Sequence, residues 1–155
     1  MAYVTSAGAS PARPTGCIFC DALASGNDRL SLILRRGPNA FLILNKYPYA
    51  SGHVMAAVTR HVGSLEEIAA EEIGQVMELV QAAVRALNLA YTPEGFNVGL
   101  NQGRAAGAGV PKHLHIHVVP RWSGDVNFMP VVSDTRVLPE SLDTTYERLL
   151  VALGS

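Results

Sequence analysis

Charge is scarce in this chain. Lys, Arg, Asp and Glu together make up 16% of 155 residues and the formal net charge is −1. There is therefore no broad cationic field to attract a nucleic-acid backbone or an anionic membrane. No nucleic-acid-binding motif is present either, and a small-molecule partner fits better. Also missing is any apolar run approaching the ~18 residues of a membrane-spanning helix. Residues Met1 to Thr15 lack the hydrophobic stretch of a signal peptide, so the expected location is cytoplasmic. Cysteine is limited to Cys17 and Cys20, and in a reducing compartment a structural disulfide between them is disfavoured. No internal repeat or second domain is evident, and a chain that is 48% apolar is large enough to bury one core. The expected organisation is a mobile Ala-, Ser-, Gly- and Pro-rich arm over residues 1–15, followed by a single domain over 16–155.

Histidine, by contrast, is concentrated. Three of the five histidines fall in His113-Leu114-His115-Ile116-His117-Val118-Val119, where imidazole alternates strictly with hydrocarbon. That is the period of a strand, with three rings on one face and the apolar side chains on the other. A lone histidine on such a face is usually structural, but three in register call for a shared task. Neutral imidazoles can ligate a metal, or one can act as nucleophile while its neighbours fix its tautomer. Both readings stay open on the run alone. The preceding segment, Gly103-Arg104-Ala105-Ala106-Gly107-Ala108-Gly109, is rich in glycine. Glycines let backbone N–H groups approach an anion closely, which suggests a phosphate substrate.

The complete His-φ-His-φ-His-φ-φ run beside this loop resembles the signature of the histidine triad superfamily of nucleotide hydrolases and transferases. The likeness extends over roughly Gly16 to Leu150 and includes Leu44-Asn45-Lys46, Pro48 and Gly52-His53-Val54. Pro120-Arg121-Trp122, with Asp125-Val126-Asn127-Phe128 after it, looks especially like the bacterial branch related to diadenosine tetraphosphate phosphorylases. One departure is that the loop between Gly103 and His113 looks one residue longer than in the fragile-histidine-triad hydrolases. The resemblance implies that His115 is the nucleophile toward an α-phosphorus, that His117 and His53 support it, and that Asn45 lies by the ribose. Phosphoryl oxygens would be met by backbone N–H groups of Gly107, Ala108, Gly109 and Val110 and by Asn101 and Gln102, with no catalytic metal required. It further implies a homodimer of joined sheets. Water and phosphate both stay open as acceptor. Alternatives are a nucleoside phosphoramidate hydrolase and a non-catalytic nucleotide-binding protein.

Cys17-Ile18-Phe19-Cys20 has the spacing of a metal knuckle or a redox pair, and the surrounding pattern does not favour the redox fold. Two thiolates cannot close a tetrahedral zinc site. Some triad-family members with this motif bind zinc using two further histidines, which resemblance places at His61 and His113. The result would be a structural Zn2+ distinct from the catalytic pair, although His113 could instead line the nucleotide site and His61 could be a plain surface residue.

The rest of the chain predicts an α+β fold, an antiparallel sheet of about five strands with one long helix and a C-terminal helix. A helical piece around Ile18 to Ser25 precedes a hairpin of Leu30 to Arg36 and Ala40 to Asn45 around Gly37-Pro38-Asn39. His53 to Thr59 is the third strand, Phe96 to Asn101 the fourth and the triad strand the fifth. Met129 to Ser133 could extend the fifth. Ser64-Leu65-Glu66-Glu67 reads as a capping box opening the long helix, whose apolar stripe is Ile68, Ile73, Val76, Met77, Val80, Val84 and Leu87. The C-terminal helix runs from about Pro139 to Leu153 with Leu142, Tyr146, Leu149, Leu150 and Leu153 on its apolar face, covering either the core or a partner subunit.

Overall fold

A computed structural model describes residues 15–125 and 140–154. The expected N-terminal arm up to residue 14, the extension at Met129 to Ser133 and Pro139 lie outside the described residues. The elements are α1 (Ile18–Ala24), α2 (Asp28–Ser31), β1 (Ile33–Arg36), β2 (Ala40–Leu44), β3 (Val54–Val58), α3 (Ala70–Tyr91), β4 (Gly95–Gly99), β5 (His115–Arg121) and α4 (Leu142–Leu153). The five strands form one antiparallel sheet in the order β1-β2-β3-β5-β4. The α+β architecture is thus the expected one. The triad strand is inserted between β3 and β4, which gives it neighbours on both sides.

Period-two alternation divides the sheet between two cores. Leu42, Leu44, Val54, Ala56, Val58, Ile116 and Val118 face α3 and meet Val76, Leu79, Val80, Ala83, Ala86 and Leu87. Full burial of each large aliphatic contributes about 1.5–3 kcal/mol. The opposite face carries a smaller cluster of Cys17, Phe19, Ile33, Phe41, Ile43, Met55 and Ala57. This is the face of the histidines. Helix α4 packs on α3 and on β1, burying Tyr146 and Leu149 in the larger core, with the Tyr146 hydroxyl donating to the Ile33 carbonyl at 2.8 Å. Its apolar face therefore completes this chain's own core. Its first turn is capped by Ser141, whose Oγ accepts from Thr144 N–H at 3.2 Å.

Two element starts, those of β1 and α3, lie several residues later than expected, and hydrogen bonds account for both. Leu30 is not in a strand, because the Asn27 side chain accepts its N–H at 3.1 Å and winds Asp28–Ser31 into a helical turn. Leu32 then takes φ 64° before β1 begins. Ser64 does not open the long helix. It precedes a 3-10 turn, Leu65–Glu67, and makes no side-chain cap. The Leu65 N–H is instead accepted by Gln102 Oε1 at 2.8 Å. The helix starts at Ala70, where the Glu72 carboxylate accepts the Ala69 N–H at 3.0 Å and is held in turn by Arg60. The buried stripe also rotates: Leu79, Ala83 and Ala86 replace Met77, which is 43% exposed.

Candidate active site

Strand β5 and the turn before it aim three imidazoles at the smaller core. His115 stands across from Ala57 on β3, and His117 across from Met55 on β3 and Gly99 on β4. The small partners Ala57 and Gly99 leave room beside the rings. The fourth imidazole, His53, enters from the loop ahead of β3 and is fully buried.

Hydrogen bonds fix the direction of each ring. His115 Nδ1 lies 2.8 Å from the His113 carbonyl oxygen. A carbonyl can only accept, so Nδ1 carries the proton and Nε2 keeps its lone pair. His53 Nδ1 accepts from the Tyr49 N–H at 3.1 Å, so its Nε2 carries the proton and donates to His117 Nδ1 at 2.9 Å. The proton of neutral His117 is therefore on Nε2, and His117 presents a donor beside the lone pair of His115. The two rings meet edge to face, with centroids 4.9 Å apart at 71°.

Electrostatics keep all of these rings uncharged at neutral pH. Burial pushes His53 down to about 4, helped by His117 and then His115. Burial lowers His115 as well, against the opposing bond to the His113 carbonyl. His117 is lowered by burial and then by His115. A neutral, oriented imidazole with a free Nε2 lone pair is the form a nitrogen nucleophile requires.

The other expected substrate residues are distributed unevenly. The Asn45 amide nitrogen sits 3.4 and 3.3 Å from the two ring nitrogens of His53, and its oxygen accepts the Tyr47 N–H at 2.8 Å, so Asn45 joins the imidazole group while shaping its loop. Gln102 turns away to Leu65 and to Glu66, reached by its Nε2 at 3.1 Å. Asn101 is exposed. In the glycine loop, Gly107 and Ala108 spend their N–H groups on the carbonyls of Arg104 and Gly103. Gly109 and Val110 have no acceptor for theirs among the described residues, and Val110 packs against the smaller core.

His113 turns to a second group. Its Nε2–H donates to the Val58 carbonyl at 2.7 Å, leaving the Nδ1 lone pair 3.4 Å from Cys17 Sγ, 3.5 Å from Cys20 Sγ and 3.3 Å from His61 Nδ1. Cys20 Sγ is 3.3 Å from His61 Nδ1, and all four donor atoms lie within 4.8 Å of one another. Cys17 and Cys20 reach one side of α1 because residues three apart share a helical face. Gly63 permits the close approach of the segments bearing His61 and His113, since an added Cβ would lie 2.5 Å from the Pro111 carbonyl oxygen. Burial and the adjacent Cys17 push Cys20 up to about 11; such a thiol ionises readily only around a cation. Two sulfurs and two nitrogens in this volume are a soft tetrahedral donor set.

Two residues of the site were not singled out in the sequence. The ring of Tyr49 lies 4.6 Å from His53 and, nearly parallel at 24°, 6.2 Å from His117, while Phe19 packs against His115 and His113. Tyr49 could have been suspected from its position between Asn45 and His53. Phe19 carried no signal beyond its place between the cysteines.

Comparison with known proteins gives the family and the fold. Residues 30–124 match the family model described as HIT domain, and the chain belongs to the HIT family. It is 41% identical over 142 residues to a Mycobacterium tuberculosis protein named AP-4-A phosphorylase, an alignment spanning 92% of this chain and 70% of that one. Among solved structures, a zinc-bound histidine triad family protein from Mycobacterium smegmatis superposes with a TM-score of 0.72 at 24% identity, covering 89% of this chain and 93% of that one. The Plasmodium falciparum diadenosine triphosphate hydrolase, solved with Cyclomarin A, gives 0.65 at 18% identity, covering 83% and 76%.

Proposed function

We propose that this protein cleaves a dinucleoside polyphosphate such as diadenosine tetraphosphate at the α-phosphorus, through a nucleotide held covalently on His115. The observation that carries the proposal is the tautomer of His115, with Nδ1–H committed to the His113 carbonyl and Nε2 free. In the first step the Nε2 lone pair attacks the α-phosphorus. The P–O bond to the remaining polyphosphate breaks, and its oxygen leaves with the electron pair. His117 Nε2–H donates to the phosphoryl or leaving oxygen, and His53 fixes the ring that does so. The positive charge that develops on His115 is met by the His113 carbonyl at Nδ1–H. In the second step an acceptor oxygen attacks the same phosphorus, any proton it carries passes to solvent, the N–P bond breaks and Nε2 recovers its lone pair. Dividing one difficult substitution into two easier ones is the gain from a covalent intermediate. The N–H groups of Gly109 and Val110 are available donors for the phosphoryl oxygens.

The name of the 41%-identical relative supports phosphate as the acceptor. Incubation with diadenosine tetraphosphate, with and without phosphate, tests both points. Phosphate as acceptor gives ATP and ADP, and water gives ATP and AMP. Binding without turnover under either condition would overturn the reading in favour of a nucleotide-binding protein.

Cys17, Cys20, His61 and His113 fit a resident Zn2+, and the zinc-bound family member supports that choice. Four protein ligands would close the site, and an ion held there would cross-link α1 to the sheet.

A further inference from the structure

The knuckle that carries the two cysteines also carries a side chain to the nucleophile. Phe19 lies between Cys17 and Cys20 and is fully buried. Its ring centroid is 4.7 Å from that of His115 at 41° and 5.1 Å from that of His113 at 40°. Behind it, Phe41 meets the Phe19 ring edge-on at 6.2 Å and 65°. His115 is thus bounded by Phe19, by the edge-on ring of His117, and by Ala57 across the strand pair. The single hydrogen bond at Nδ1 fixes one atom of the ring. A second contact is needed to fix its plane and the direction of the Nε2 lone pair.

We propose that Phe19 is a positioning residue for His115, holding the imidazole plane so that Nε2 meets phosphorus in line, and that the Cys/His cluster serves the reaction by holding Phe19. The inference rests on the reading of His115 as nucleophile. Two links run from the cluster to that ring. One is Phe19, anchored on either side by a cluster cysteine. The other is His113, whose side chain joins the cluster while its own carbonyl accepts the His115 proton. A Phe19 that only filled the core would leave the nucleophile unaffected once the fold and the metal were retained.

The test compares Phe19→Ala and Phe19→Leu with the wild type, all zinc-loaded and with metal content measured. Long-range proton–nitrogen spectra of the imidazoles report which nitrogen of His115 carries the proton. Steady-state kinetics report kcat and KM separately. Phe19→Ala is expected to lower kcat by about 10²-fold, the cost of roughly 1 Å of misplacement, with KM and zinc unchanged. Its His115 signals should move from the Nδ1–H pattern toward a mixture of tautomers, while His53 and His117 keep theirs. Phe19→Leu, which keeps bulk without a flat face, should fall between. A variant with full zinc, a wild-type His115 pattern and wild-type kcat overturns the proposal. So does a loss of kcat that only tracks lost metal or lost folded protein. If Phe19→Ala does not fold, Phe19→Leu decides by the same readouts. If the wild type turns over no dinucleoside polyphosphate, the functional reading fails, and the His115 spectra still decide whether Phe19 positions the ring.

Discussion

At His53, full burial and two neighbouring imidazoles all oppose protonation, and the ring's pKa is pushed down to about 4. The unfolded chain has no such restraint, and its histidines protonate near the usual value of about 6.5. Between these values the unfolded state binds a proton that the native state refuses, so stability rises with pH in that window. The stabilisation is fully present above about 6.5, and on the order of 3 kcal/mol is lost as pH falls toward 4. Urea unfolding of the wild type and of His53→Asn between pH 7.5 and 4.5 should show a shallower decline in the variant. Taking the difference removes the contribution of the Cys/His cluster, which both proteins share. Equal slopes would mean that His53 is not held neutral by the fold. The shared face of His115 and His117 was legible in the strand alternation, whereas His53 was drawn to them only by the family resemblance, and the structure brings the three rings together. The roles of the Tyr49 N–H and of the Phe19 ring were not legible. A backbone donor has no side-chain signature, and the Phe19 ring meets that of His115 across 96 residues of chain, a contact made by packing alone.

At the scale of elements, α1 and the loop before β3 carry the consequences. Helix α1 is only 7 residues long and is too short to be stable by itself, so its place on the sheet depends on the cluster and on Phe19. Elemental analysis of the wild type should find about one zinc per chain, and Cys17→Ser should lose it. With about 3 kcal/mol of ligand-linked stability gone, Tm should fall by roughly 10 °C. Folded, active, metal-free wild type with both thiols reactive would contradict the site. In the loop ahead of β3, Gly52 has φ 89°, and a Cβ there would lie 2.7 Å from Leu87 Cδ2 in the core. Gly52→Ala should cost about 1–3 kcal/mol by chemical denaturation and disturb His53 next to it, lowering activity as well; an unchanged midpoint would show that the loop relaxes freely. Period-two alternation placed the sheet to within a few residues, and the helical spacing of the apolar stripe placed the body of α3. It could not place the start of α3, because the competing cap is Gln102, 37 residues beyond Leu65, and long-range competition leaves no local pattern.

For the whole molecule, the sheet ends in β4, whose outer edge has no partner among the described residues and whose Val98 is 47% exposed. An open antiparallel edge invites pairing, and a twofold union of two β4 strands would close both edges at once. We propose a homodimer formed there. Light scattering at micromolar concentration should give twice the chain mass, and Val98→Lys should shift it toward the monomer; a monomer mass for the wild type contradicts the proposal. Among the described residues no helix is long and apolar enough to cross a membrane.

The covalent step is the centre of the functional account, and mass spectrometry of quenched protein tests it most directly. Wild type and His117→Ala are mixed with diadenosine tetraphosphate, quenched without acid and digested. An adenylyl increment is expected on the peptide bearing His115, more abundant in the slowed His117→Ala protein, with no increment or turnover in His115→Asn, which still binds mononucleotide. Turnover by His115→Asn at near the wild-type rate, or an adenylyl group on another residue, would contradict it.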